Sequence, residues 1–333
     1  MQVDDVLTTH TEGLAPLNRP IMVVALTGWF DASGAATGAL EWLLRDRVAP
    51  IVASIDPDPF YDFTQERPEV WLDDDESVVV RWPANEFRIA RFPGSAHDLV
   101  VLSGVEPHVR WNTYCACVTA MATRLGCDVV VTIGANADQL PHTRLPQVVG
   151  SSTNEELIRR LALSRPQYQG ITGVIGVLQE RLERADIPAI SLRVGVPHYL
   201  GNAQHPKSSA ALLRHLEHVL GLPTSHIELN GEIERWQSLH DEAVAEDPQA
   251  AGYVQMLERQ FDRRAEAMLA TGDDLAAELE AFLRDQSTPP DAGTTNDGPT
   301  NDGPANDGPP NDGPPNDGPT NDGPTNDGPA NEP

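Results

Sequence analysis

Ile21–Thr27 (IMVVALT) is a continuous apolar run, too short for a self-buried helix and lacking the polar alternation of a strand with one wet face. It reads as a strand buried on both faces of a parallel sheet, and a chain that contains one must cover it with helices, which places it in the α/β class. Its neighbours comply. Gly28–Asp31 turns into a helix over Ala32–Leu44, and Pro50–Ile55 reads as the next strand, completing a strand–helix–strand unit. The alternation continues through strand Leu99–Leu102, helix Val109–Leu125, strand Asp128–Ile133, helix Val174–Ala185, strand Ala189–Val194 and helix Lys207–Leu220, the last ended by Gly221 and Pro223. Ser77–Trp82 and Phe87–Phe92 alternate across Pro83–Glu86, which predicts an antiparallel hairpin beside the main sheet. Ser152 and Glu155 have capping-box spacing for a helix over Thr153–Ala162.

After Pro223 the pattern becomes helical throughout. Glu232–Glu246, Pro248–Ala270 and Asp273–Asp285 each keep one apolar side, and Asp247-Pro248 and Gly272-Asp273-Asp274 separate them. From Asn296 the pentad NDGPx recurs seven times, all turn chemistry with no large apolar residue to bury, so this tail is expected to be disordered. The organisation that follows is an N-terminal extension over 1–18, a core domain over 19–222, a helical appendage over 223–286 and an acidic repeat tail over 287–333.

Charge narrows the partners. The formal net charge is −27, and residues 287–333 hold nine acidic residues and no basic one, so the body is acidic as well. Phosphate neutralisation needs clustered Lys and Arg, which argues against nucleic acid and favours basic partners. No apolar stretch approaches the roughly 20 residues that span a bilayer, and Met1–Pro16 lacks a signal-peptide pattern, so no membrane partner and a cytoplasmic location are expected. Cys115, Cys117 and Cys127 lack metal or redox spacing and read as small core residues.

Three of the strands stop at polar loops that carry a histidine: Gly104–Trp111 (GVEPHVRW), Gly134–Arg144 (GANADQLPHTR) and Pro197–Tyr199 (PHY). Ligands of crossover sheets sit at the carboxyl ends of strands, so convergence of these loops would line one site with His108, His142 and His198. Glu106, Trp111, Asn136, Thr143, Arg144 and Tyr199 come from the same loops. Their carboxylate, imidazole and guanidinium groups could do acid–base work, with Arg144 as an anion clamp, or could bond the loops to one another or across a subunit interface. Gly28, Trp29 and Asp31 lie between a strand and a helix, where backbone amides could hold an anion; alternatively Asp31 caps the helix and Gly28 makes the turn. Their spacing is neither a dinucleotide fingerprint nor a phosphate loop. Lys207, the one lysine among 23 basic residues, could act as a base or form an imine if buried, or simply stand in solvent. The histidines come from separate loops with no ligand spacing, so neither a metal nor another cofactor is expected.

Taken together in order, GWFDASGAAT (Gly28–Thr37), FTQERP (Phe63–Pro68), GVEPHVRW, LPHTR (Leu140–Arg144), YQGITGVIGVL (Tyr168–Leu178), VPHY (Val196–Tyr199) and HPKSSA (His205–Ala210) resemble the prokaryotic branch of the proteasome assembly chaperone family, second-subunit type. The resemblance runs from about Pro20 to about Asp262. It implies a three-layer α/β/α fold like that of nucleoside phosphorylases and a ring or trimer, and the exposed-type aromatics Trp29, Phe30, Tyr61 and Trp111 beside the loops suit a homo-oligomer. It also implies a non-enzymatic assembly factor with proteasome components as partners. The alternative is an enzyme on a phosphorylase-like fold, acting on a small anionic or nucleoside-like substrate through the loops at Gly28, Glu106, His142 and His198.

Overall fold

The computed structural model describes residues 1–200 and 204–286, so the expected disorder of the repeat tail lies outside the described residues. The chain divides into two units, Met1–Leu275 and Ala276–Pro333, and every contact described below lies within the first.

Eight strands form one mixed sheet: β1 (Leu7–Thr9), β2 (Ile21–Thr27), β3 (Ile51–Ile55), β6 (Asn85–Ala90), β7 (Leu99–Val105), β8 (Val129–Asp138), β9 (Val148–Ser151) and β10 (Ala189–Pro197), in the order β1-β3-β6-β7-β2-β8-β10-β9. The central four, β7, β2, β8 and β10, are parallel, and the flanking strands run antiparallel. This is why β2 reads as continuously apolar. Met22 and Val24 face one core, with helices α2 (Trp111–Arg124) and α4 (Val174–Arg184), and Val23 and Ala25 face the other, with α1 (Ala35–Leu44) and α5 (Pro206–Leu220). The result is a three-layer α/β/α sandwich. Cys115 and Cys117 are buried in the first core, and burial pushes their thiols up to about 12 and about 11, so they stay protonated.

Four local expectations are corrected. The segment Ser77–Trp82 does not pair with Phe87–Phe92. Instead β5 (Val78–Arg81) pairs with β4 (Glu69–Leu72) as a separate two-stranded ribbon, while β6 enters the main sheet between β3 and β7. Burial decides this: Phe87, Ile89 and Ala90 are in the core, whereas all eight ribbon residues are exposed. Because β6 and β7 intervene, β3 is not the parallel neighbour of β2 that a strand–helix–strand unit would require. Helix α3 (Glu155–Leu161) is capped by Asn154, whose side-chain Oδ1 accepts the Glu156 and Leu157 amides at 3.1 and 3.0 Å, while the Ser152 hydroxyl turns inward to the Ala189 carbonyl. After α6 (Asn230–Glu246), one helix, α7 (Pro248–Gln286), runs through Gly272-Asp273-Asp274. One glycine costs a helix only about 1 kcal/mol, and the Ala- and Leu-rich flanks offset it. The sequence reading also missed β1 and β9; Leu7 is buried and pairs with Ile55 at the sheet edge.

Candidate functional site

The four parallel strands end on the same side, so the loops that follow them share one end of the sheet. β8 runs on through Asn136 to Asp138, which makes Asn136 an exposed strand residue, and Leu140, Pro141 and His142 then turn inward. His142 is 1% exposed, with both ring nitrogens engaged: Nδ1 lies 2.7 Å from the Tyr199 hydroxyl and Nε2 3.0 Å from Asp241 Oδ1 on α6. An ionised carboxylate can only accept, so Nε2 carries the proton and Nδ1 accepts from Tyr199, whose oxygen accepts the His142 amide at 2.8 Å. Burial holds the imidazole below its usual pKa against the opposing pull of Asp241, and it pushes the Tyr199 phenol up to about 12.

The next two residues reach α7. Thr143 Oγ1 donates to Glu258 at 2.6 Å, and Arg144 meets Asp262 through two parallel bonds, Nε to Oδ1 at 2.8 Å and Nη2 to Oδ2 at 2.7 Å, with Nη1 3.1 Å from Glu258. The guanidinium holds the Asp262 carboxyl below the usual carboxylate range. His198 donates from Nδ1 to the Asp138 carbonyl at 2.8 Å and accepts at Nε2 from the Tyr253 hydroxyl at 2.7 Å. Lys207, buried in the first turn of α5, donates to the His142 carbonyl at 2.6 Å, and desolvation lowers its pKa. Three consecutive residues, His142, Thr143 and Arg144, therefore each hold α6 or α7. The Tyr199–His142–Asp241 chain has the wiring of a proton relay, yet neither ring nitrogen is free to take a proton from a bound molecule. Its physical effect is to fasten the helices to the sheet.

The other half of this end is built differently. Asp31 is buried and accepts the amides of Ala36 and Thr37 at 2.7 and 3.2 Å and the Thr37 hydroxyl at 2.5 Å, capping α1. Glu106 accepts the Trp29 amide at 3.0 Å and the Val174 amide at 3.5 Å, tying the Gly28 turn to the start of α4. Gly28 has φ +138°, and a Cβ there would lie 2.8 Å from Glu106 Cβ, so the close approach needs glycine. The Trp29 side chain is 76% exposed. His108 accepts the Asp62 amide at Nδ1, 3.0 Å, with its ring edge-on to Tyr61, and the Trp111 indole donates to the Pro107 carbonyl at 2.7 Å. The structure thus brings His142 and His198 together around Tyr199 and sets His108 apart with Tyr61 and Asp62.

A cavity of about 400 Å³ opens between α1, the start of α5 and α6, and a groove of about 540 Å³ lies where α1 meets β6 and β7. Neither is lined by Glu106, His108, His142, His198 or Lys207. Among the described residues no group of three or more His, Cys, Asp or Glu is placed to hold a metal, and no helix is long and apolar enough to cross a membrane. Sequence reasoning missed Asp241, Tyr253, Glu258 and Asp262. Their one legible trace is the helical spacing that puts Glu258 and Asp262 on one side of α7, four residues apart.

The model of the PAC2 family matches this chain over residues 25–244. Among solved structures, a PAC2 family protein from Streptomyces avermitilis is 37% identical, with a TM-score of 0.66, over 71% of this chain and 99% of that one. A Mycobacterium tuberculosis proteasome-assembly chaperone homologue is 36% identical, TM-score 0.64, over 70% of this chain and 99% of its own. A second Mycobacterium tuberculosis protein, described as of unknown function, is 26% identical, TM-score 0.71, over 80% of this chain and 92% of its own. No curated protein matches the sequence.

Proposed function

The chain belongs to the PAC2 family, and on that premise we propose that it is a non-enzymatic assembly or interaction factor whose partners are proteasome components. The Mycobacterium tuberculosis relative named as a proteasome-assembly chaperone homologue supports the choice of partner. The observation that carries the reading is the use made of the His142-Thr143-Arg144 loop. Side chains that could bind or transform a small molecule are spent on Asp241, Glu258 and Asp262, and so serve to mount a helical appendage on the sheet. In this reading a core over 19–222 carries an appendage over 223–286, and the chain works in the cytoplasm as a homo-oligomer, a trimer by family resemblance.

Affinity capture with the full chain from its source cells is the test. Proteasome components should be recovered in stoichiometric amount, and His142→Ala should weaken capture and thermal stability together by loosening α6 and α7. Recovery of no stoichiometric protein, with a small metabolite bound to the purified chain, would overturn this reading in favour of an enzyme.

A further inference from the structure

The β4–β5 ribbon exposes almost nothing but apolar surface. Val70, Trp71, Leu72, Val78, Val79, Val80 and the adjoining Trp82 are 41–68% exposed, on both faces of a sheet only two strands wide. A two-stranded ribbon of this length is marginal alone in water, and a contiguous patch of this kind marks a surface that another chain covers. At its base Trp82 packs on Phe63 with ring centroids 4.8 Å apart, and within the ribbon Arg81 lies 4.6 Å over the Trp71 ring. Its free tip is Asp73-Asp74-Asp75-Glu76, four exposed acids in a row. The repeat tail over 287–333 holds no Val, Leu, Ile, Met, Phe, Trp or Tyr with which to cover it.

A matching surface lies at the opposite end of the sheet. The ribbon belongs to the connection between β3 and β6, toward the β1 edge, whereas β9 forms the other edge. Beside β9, Leu145 is 72% and Val149 54% exposed. The segment that follows carries exposed Arg159, Arg160 and Arg165; Arg165 pairs with Glu155, and Arg159 and Arg160 outnumber the remaining Glu156, a local basic excess on a chain of net charge −27. Apolar side chains flanked by arginines complement an apolar ribbon with an acidic tip.

We propose that the ribbon of one copy docks on the β9 edge of a second copy, head to tail, with Asp73–Glu76 against Arg159 and Arg160. Two complementary patches at opposite ends of one sheet make a heterologous contact, which gives a ring where the rotation between copies closes and does not stop at a two-fold pair. The inference rests on the homo-oligomer reading above and gives it an interface.

Sedimentation velocity of the full chain at micromolar concentration tests it. Trp71→Asp with Val79→Asp disables the ribbon, and Arg159→Glu with Arg160→Glu disables the edge; both pairs are exposed, and far-UV circular dichroism reports whether each variant folds. Should the ribbon pair fail to fold, Asp74→Lys with Asp75→Lys replaces it. Each variant alone should sediment as a monomer, a threefold loss of mass if the ring is a trimer. An equal mixture of the two should form a dimer, because one intact ribbon meets one intact edge and the second pairing is lost. A monomeric parent chain, variants that keep the parent mass, or a mixture that stays monomeric would each overturn the proposal. Proteasome capture is read separately, so its failure would strike the assembly-factor reading and leave this interface standing.

Discussion

Lowering the pH from 7 to 5 should destabilise this protein through His205 more than through any exposed histidine. The ring is 1% exposed, lies edge-on to Trp236 with centroids 4.7 Å apart, and accepts the Ser208 amide as the N-terminal cap of α5. Burial first, then the charges of Lys207, His240 and His142, push its pKa down from 6.5 to about 3. Because the folded value is the lower one, the unfolded chain takes up the proton first. The stability held above pH 6.5 is therefore lost as the pH falls toward 3. Between pH 7 and pH 5 the unfolded imidazole goes from mostly neutral to almost fully charged while the folded one stays neutral. With 1.36 kcal/mol per pKa unit the difference is about 2 kcal/mol, out of about 5 kcal/mol over the whole window. His205→Asn keeps a cap for the Ser208 amide and removes the titration. Urea unfolding followed by tryptophan fluorescence at both pH values should show the parent losing about 2 kcal/mol more than the variant. His142, also depressed by burial, is present in both proteins and cancels in the comparison. If parent and variant lose the same amount, His205 is not held neutral by its surroundings and the reasoning fails.

Arg144→Ala removes four hydrogen bonds, to Thr143, Glu258 and twice to Asp262, so it should speed limited proteolysis in α6 and α7 and destabilise more than Asp262→Ala. In a double-mutant cycle the two changes should be clearly non-additive, and strict additivity would mean the pair does not hold α7 to the sheet. Gly28→Ala should lower stability by roughly 2 kcal/mol in a thermal or chemical melt, from the strained φ together with the Glu106 contact; an unchanged melt would show that the turn relaxes freely.

The strands β2, β7 and β8 were legible because a strand covered on both faces reads as a run of consecutive apolar residues, and β10 because Ile190, Leu192, Val194 and Val196 keep one face apolar between Ser191, Arg193 and Gly195. The helices α1, α2, α4 and α5 followed from the same alternation, and so did the α/β class, whereas the three-layer arrangement was implied by the family resemblance. Asp31 as a helix cap was one of two readings that local spacing allowed, and its bonds to Ala36 and Thr37 settle which one the fold uses.

What the sequence could not decide was every pairing between residues far apart in it. Val78–Val80 and Phe87–Ile89 are both apolar strand formers, and only the position of β3 and β7 determines that one is core and the other a bare ribbon. The capping box at Ser152 lost to Asn154 because the Ser152 hydroxyl had a better partner in Ala189, 37 residues later. His142, Thr143 and Arg144 announced themselves as chemistry-bearing residues, but their partners stand 99 to 118 positions away on helices whose own sequence shows only amphipathic spacing. A polar side chain carries the same letter whether it waits for a ligand or holds a helix. Which of these it does depends on whether a complementary group is brought within about 3 Å, and that distance is created only by the packing of the whole domain.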